Sequence, residues 1–286
     1  MLICNSLKET QNFLESIGNN SENSKIEAEH ILMNVLNMCK SELYINYDRS
    51  LSNKEVSSIQ EIIEQRAKGC PLSYIINEHF FYETNFYVNQ DVLIPRSETE
   101  GVIDKLLELG DEIFFQKKEI MFIDAGSGSG CVGLSVAKKR PKWSVILIDK
   151  YITAINIMKK NLHSLGLSNV NITCNDWLNG ISDSSVDFIF SNPPYVSYQD
   201  NLEKSVCDFE PHHALFSDNK GLGDILKIIK QAKMKLADSG LLFIENGYGQ
   251  SQSILDQLRI NDFTDITTYL DYNGTKRFAS SRKNNL

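Results

Sequence analysis

Residues 120–133, IMFIDAGSGSGCVG, decide the fold. The apolar run ending at Ile123 reads as a strand buried on both faces and closed by Asp124. Gly126, Gly128 and Gly130 follow at alternate positions, which lets the chain turn tightly and lets a ligand approach its backbone. A helix-forming stretch then runs to Arg140. Residues 128–133 also fit the spacing G-x-G-x-x-G of dinucleotide-binding loops. Further on, Asp149 closes a second strand, SVILID (144–149), where a carboxylate can accept both hydroxyls of a ribose. The pattern predicts a nucleoside cofactor held at Gly126, Ser127, Gly128, Ser129, Gly130 and Asp149. NAD and S-adenosylmethionine both fit it.

Outward from this stretch, strands alternate with helices. After the second strand comes the helical pattern ITAINIMKKNLHSLG, then a third strand in VNITCND, and a fourth in SVDFIFS (185–191). A long helix over about 221–237 leads to LLFIEN (241–246), and a helix near 250–259 precedes DITTYL and RFASS, which can pair antiparallel. Such alternation predicts an α/β fold with a mostly parallel seven-stranded sheet, helices on both faces, and ligands beyond the C-terminal strand ends.

The first 75 residues read differently, as a small all-helical domain. SLKETQNFLESIG spaces Leu7, Phe13 and Leu14 as a helix and stops at Gly18. In SKIEAEHILMNVLNM, Ser24 is the expected N-cap, with Ile26, Ile31, Leu32, Val35 and Leu36 on one face. Ser52 with Glu55 forms a capping-box start, and Gly69 a stop. In HFFYETNFYVNQDVLI (79–94), aromatic and β-branched residues alternate around ETN, which suggests a hairpin. The expected division is therefore 1–75 helical, 76–96 a β-hairpin linker, and 97–286 the α/β domain.

Composition narrows the function. At 42% hydrophobic and 23% charged, the 286 residues suit an ordinary globular protein. No stretch approaches the roughly 20 apolar residues of a membrane span, and MLICNSLKETQ lacks the form of a signal peptide. A cytoplasmic chain without a membrane partner is expected. Cysteines 4, 39, 70, 131, 174 and 207 are too scattered for zinc-ligand spacing, so no metal site is expected. A net charge of −8 gives no footprint for direct nucleic-acid binding.

Two further strand ends carry chemistry. In NDWL (175–178), an acid or amide beside Trp177 can bracket a flat base by hydrogen bonding and stacking. FIFSNPPYVS (188–197) ends the fourth strand in Asn192, two prolines and Tyr195. A carboxamide or base amine is a poor nucleophile because its lone pair is delocalised. A site that accepts both its N–H hydrogens holds the nitrogen with that lone pair facing an electrophilic methyl. Asn192 offers a side-chain oxygen, and Pro193 a carbonyl held still because Pro194 restricts the residue before it. Tyr195 offers a flat wall. No strong base is needed, since an N-methylated amide cation is very acidic. Orientation of this kind supplies about 7–11 kcal/mol.

DAGSGSG with NPPY resembles the class I S-adenosylmethionine-dependent methyltransferases of the amino-group type. LIPRSETE (93–100), SNPPYV, FEPHHALF (209–216), Gly221-Leu222 and ENGYGQ (245–250) are similar to the peptide chain release factor glutamine methyltransferases. The resemblance spans roughly residues 60–280. It implies a Rossmann-like domain behind a helical N-terminal domain and a hairpin linker. It implies methylation of the glutamine amide in the GGQ tripeptide of class I release factors, with S-adenosylmethionine consumed and S-adenosylhomocysteine released. Carried over, Gly126 to Gly130, Asp149, Trp177 and Asn192 bind cofactor, and Asn192, Pro193, Pro194 and Tyr195 hold the substrate glutamine. The helical domain would grip the protein substrate, and the enzyme would act as a monomer.

Two residues depart from the family pattern: Ser97 stands where proline is usual, and Asn246 where isoleucine or valine is. Ser97 leans toward a related family that methylates a ribosomal-protein glutamine, whereas Glu98-Thr99-Glu100 and GYGQ lean toward release factors. An adenine-amine methyltransferase on nucleic acid shares the Asn-Pro-Pro-Tyr chemistry. A non-catalytic protein that only docks release factors is the reading from a different class.

Overall fold

The computed structural model describes residues 1–284. The chain forms two compact units, Met1–Asn77 with Lys204–Phe209, and Glu78–Glu203 with Glu210 onward.

The first unit packs the helices Ile3–Ser16, Ser21–Leu36, Lys40–Ile45 and Asn53–Ala67 around a core that includes Ile3, Leu14, Ile31, Leu32 and Leu43. Ser52 caps the fourth of these helices: its Oγ accepts from Glu55 N at 3.3 Å, and its own N–H donates to Glu55 Oε2 at 2.7 Å. Ser24 is not a cap. The second helix begins earlier, with Asn20 accepting from Asn23 N at 2.8 Å, and Ser24 is buried inside it. Ile26, expected on the apolar face, is exposed to solvent.

The second unit opens with a hairpin, β1 (His79–Phe81) and β2 (Thr84–Phe86), in antiparallel register His79↔Phe86. Its turn is Tyr82-Glu83, both at positive φ (41° and 63°), so Thr84 and Asn85 already lie in strand. The left-handed conformation costs such residues about 1–2 kcal/mol each. Contacts to the α/β domain offset it: Tyr82 N donates to Glu100 Oε1 at 2.8 Å, and Lys139 pairs with Glu83 at 2.8 Å.

The main sheet comprises β3 (Met121–Ala125), β4 (Ser144–Asp149), β5 (Val170–Cys174), β6 (Val186–Ser191), β7 (Leu236–Glu245), β8 (Phe263–Leu270) and β9 (Lys276–Lys283). Their order is β5-β4-β3-β6-β7-β9-β8, parallel from β5 to β7, with β9 antiparallel to both neighbours. This is the mostly parallel seven-stranded α/β sheet read from the sequence. The central β6 is buried along its whole length, with the apolar run Phe188-Ile189-Phe190 at its middle and buried Asp187 accepting from Met121 N at 2.8 Å. The chain leaves β3 toward β4 on one side and returns to β6 on the other. The order reverses there, so a crevice opens at the C-terminal ends of β3 and β6.

Candidate active site

The glycine loop and the proline corner leave the sheet side by side. Asp124 pairs in register with Leu147 of β4 and Phe190 of β6, and Ser191 Oγ donates to Ala125 O at 2.6 Å. Within the loop, Ser127 Oγ donates to Asp124 O at 2.7 Å and accepts from Ile148 N at 3.1 Å. Gly126 sits at φ +79°, and a Cβ there would stand 2.7 Å from the Trp177 ring, so glycine is required on both counts. Gly128 N donates to Asp149 Oδ2 at 3.0 Å, and Tyr151 N to Asp149 Oδ1 at 3.0 Å. Trp177, itself at φ +55°, donates its indole N–H to Asp224 at 3.3 Å.

These elements enclose a cavity of about 270 Å³ within the second unit. Gly126, Ser127, Gly128, Ser129, Asp149, Trp177, Asn192 and Pro194 all line it. Gly130, Pro193 and Tyr195 do not. Gly130 turns inward: a Cβ there would meet Leu134, Met158 and Leu147. Pro193 is buried between two lining residues. Tyr195, expected as a flat wall, packs against the core, and its hydroxyl donates to Glu245 Oε1 at 3.4 Å.

The corner is clamped from several directions. The Tyr195 carbonyl accepts from Gln250 Nε2 at 2.8 Å, and Gln250 Oε1 accepts from Gly247 N at 2.9 Å. Gly221, at φ +82°, passes so close that a Cβ would stand 2.0 Å from that same carbonyl. Arg96 and the backbone of Ile94 converge on buried Glu210, at 2.8 and 3.2 Å. Asn246 is fully buried, and its Nδ2 reaches Gly247 O, Ser251 Oγ and Lys276 O at 2.9–3.2 Å, tying the end of β7 to the start of β9. Ser97 is exposed at the start of the short helix Ser97–Glu100, a position that also tolerates proline.

Buried carboxyls give the site its electrostatics. Burial pushes Asp124 up to about 7, against a hydrogen bond from Gly133 N at 2.9 Å. It likewise pushes Glu245 up to about 7, opposed by Thr99 and the Arg277 charge. Asp149 is raised by burial too, with the Tyr151 and Gly128 amides pulling the other way.

Several lining residues have no assignment from sequence. There Asp124 marks only the end of a strand. His213, which reads as a loop or packing residue, lines the cavity and sits tilted at 35° against the Tyr151 ring, with centroids 3.8 Å apart. Burial lowers its pKa, while Asp149 acts to raise it. Thr99 also lines the cavity and accepts from Asn192 Nδ2 at 3.2 Å.

Residues 5–76 match the family model for the PrmC N-terminal domain, and residues 105–209 that for the methyltransferase small domain. The release factor glutamine methyltransferase of Francisella tularensis is 34% identical over 260 residues, covering 91% of this chain and 90% of that protein. That of Coxiella burnetii is 29% identical and covers 97% of this chain and 99% of its own length. Among solved structures, the hMettl16 catalytic domain superposes with a TM-score of 0.55 at 16% identity, covering 78% of this chain and 82% of that one, a likeness of fold. With a relative this similar along nearly the whole of both chains, the protein belongs to the release factor glutamine methyltransferase family.

Proposed function

We propose that this chain methylates the side-chain amide nitrogen of the glutamine in the GGQ tripeptide of class I peptide chain release factors, and so acts on translation termination. Family membership supports the enzyme class and the substrate. The observation that carries the chemistry is Asn192 on the cavity wall, beside the glycine loop. S-adenosylmethionine supplies a methyl group on a sulfonium, electrophilic enough to need no further activation. The cavity fits that cofactor. The Asp149 carboxylate accepts from the Gly128 and Tyr151 amides at 3.0 Å and, with about four lone-pair sites, retains acceptor capacity, and the space where a Gly128 Cβ would stand is open to 4 Å.

Gly126 to Ser129, Asp149 and Trp177 would hold the nucleoside. Asn192 Oδ1 takes one N–H of the substrate amide, and the Pro193 carbonyl the other. Pro194 forms the wall beside them. The amide nitrogen is thereby oriented, and after transfer it sheds one proton to water. The helical unit supplies the second surface a protein substrate needs, since specific complexes usually bury about 1,200–2,000 Å². No described helix is long and apolar enough to cross a membrane. The enzyme works in the cytoplasm as a monomer, without direct nucleic-acid contact.

Mass spectrometry of a class I release factor after incubation with enzyme and S-adenosylmethionine tests the reading. One added methyl on the GGQ glutamine is expected. An unmodified glutamine, with methyl on a ribosomal protein or an adenine instead, overturns it.

A further inference from the structure

Asn192 can serve as an acceptor only if its amide is turned the right way. Its oxygen and nitrogen differ little in shape, so something must choose between the two orientations. Three elements meet at that choice. Asn192 follows β6, Thr99 lies in the helix Ser97–Glu100, and Glu245 ends β7. Asn192 Nδ2 donates to Thr99 Oγ1 at 3.2 Å, and Thr99 Oγ1 donates to Glu245 Oε2 at 2.7 Å. We propose that Thr99 and Glu245 are positioning residues that fix the polarity of the Asn192 amide and leave Oδ1 as its free, accepting end.

The polarity follows from counting hydrogens. An ionised carboxylate has none, so the Thr99 hydroxyl must donate toward Glu245. Its remaining lone pairs can only accept, and Nδ2 is the end of Asn192 that can donate. Turning the amide over would set Oδ1 against the Thr99 oxygen with no hydrogen between them. Thr99 and Glu245 are 3% and 1% exposed, so water cannot readily repair that contact. A proton on Oε1, toward the Tyr195 oxygen, leaves Oε2 accepting and keeps the arrangement, whereas a proton on Oε2 would reverse it. Oε1 is the oxygen that faces the Tyr195 hydroxyl at 3.4 Å. The corner is thus held at both ends by one carboxyl group. Among the described residues no donor occupies Asn192 Oδ1, which leaves it available.

The catalytic consequence rests on the proposed methyl transfer, so the test has one arm that needs no substrate. The first arm follows solvent exchange of the Asn192 side-chain amide protons by NMR. They should exchange slowly in the wild type and in Thr99→Ser, and about tenfold faster or more in Thr99→Val, where the acceptor is gone. The second arm measures kinetics on whole release factor. Thr99→Val should lower kcat about tenfold or more, with KM and the dissociation constant for S-adenosylmethionine nearly unchanged. Thr99→Ser should restore most of it. If the valine variant fails to fold, Thr99→Ala removes the same hydroxyl without pressing a methyl on Glu245. Unchanged amide exchange in folded Thr99→Val or Thr99→Ala would overturn the proposal. So would wild-type turnover in either, or a serine variant as impaired as they are. A wild-type chain that leaves the glutamine unmethylated would defeat the proposed function alone, and the exchange arm would still decide the positioning.

Discussion

Asn192 and Asp149 are proposed to do different work, and substitution should separate them. The role proposed for Asn192 is to orient the nucleophile, so its loss should fall on the rate of transfer. Asn192→Ala should keep its fold and lose turnover by about a hundredfold or more, the usual cost of deleting a preorganised polar contact. Near-normal single-turnover rates would discard the acceptor-pair mechanism. Asp149 lies beside the glycine loop, and its carboxylate accepts from the Gly128 and Tyr151 amides; the proposal places it on the cofactor. Asp149→Ala should weaken S-adenosylmethionine binding by about 1.5–3 kcal/mol, the value of hydrogen bonds to a charged group. Calorimetry giving an unchanged dissociation constant would remove it from the site. Both positions at the cavity can be located from the sequence, because Asp149 ends β4 and Asn192 directly follows β6 in an alternating α/β pattern. The Thr99–Glu245 pair is not. Its members are 146 residues apart, and each looks like an ordinary residue of a motif until the fold brings them together.

At the scale of elements, the corner is only as rigid as what leans on it. Gly221 leans most closely, and its φ of +82° already disfavours any side chain. Gly221→Ala should therefore displace the Tyr195 carbonyl, or the Gln250 amide that holds it. We expect a stability loss of about 1–3 kcal/mol together with reduced turnover. Denaturant unfolding and steady-state kinetics on the same preparation would show it. Full activity at wild-type stability would mean that the corner needs no such support. The sheet is legible because buried parallel strands announce themselves as apolar runs. The helix Ile103–Lys117 goes unread, although Ile103, Leu106, Leu107 and Ile113 keep helical spacing. Gly110 in its middle looks like a breaker, yet it is where the Trp143 ring packs: a Cβ would stand 2.1 Å from it. The hairpin turn is misplaced for the opposite reason. Tyr82-Glu83 carries none of the glycine or asparagine that marks such turns, and tertiary contacts hold it instead.

Across the whole molecule, the site is built at a cost to stability that pH should expose. Asp124 and Glu245 are both buried and raised to about 7, from ordinary values of 3.8 and 4.5. A carboxyl raised in the folded state is protonated there while the unfolded chain has already released its proton. The folded state then binds more protons, and stability falls as pH rises. For Glu245 the favourable contribution is complete below about pH 4.5 and is lost as pH climbs through about 7. Other groups pull the opposite way, among them His213, whose pKa burial lowers, and Glu55, held at about 2 by Arg49 and the Ser52 amide. The raw stability curve therefore mixes several signs. Comparison with Glu245→Gln isolates one of them, because glutamine fills the same space and does not titrate. The variant should gain stability relative to the wild type between about pH 4.5 and 8, by an amount on the order of 3 kcal/mol. Its hydrogen bonds shift the two curves apart by a constant, so only the slope of their difference reports the buried carboxyl. Chemical denaturation of both proteins at several pH values measures that slope. A difference that stays flat would mean that Glu245 is ionised throughout, paired closely enough with Arg277 to remain charged in a buried site.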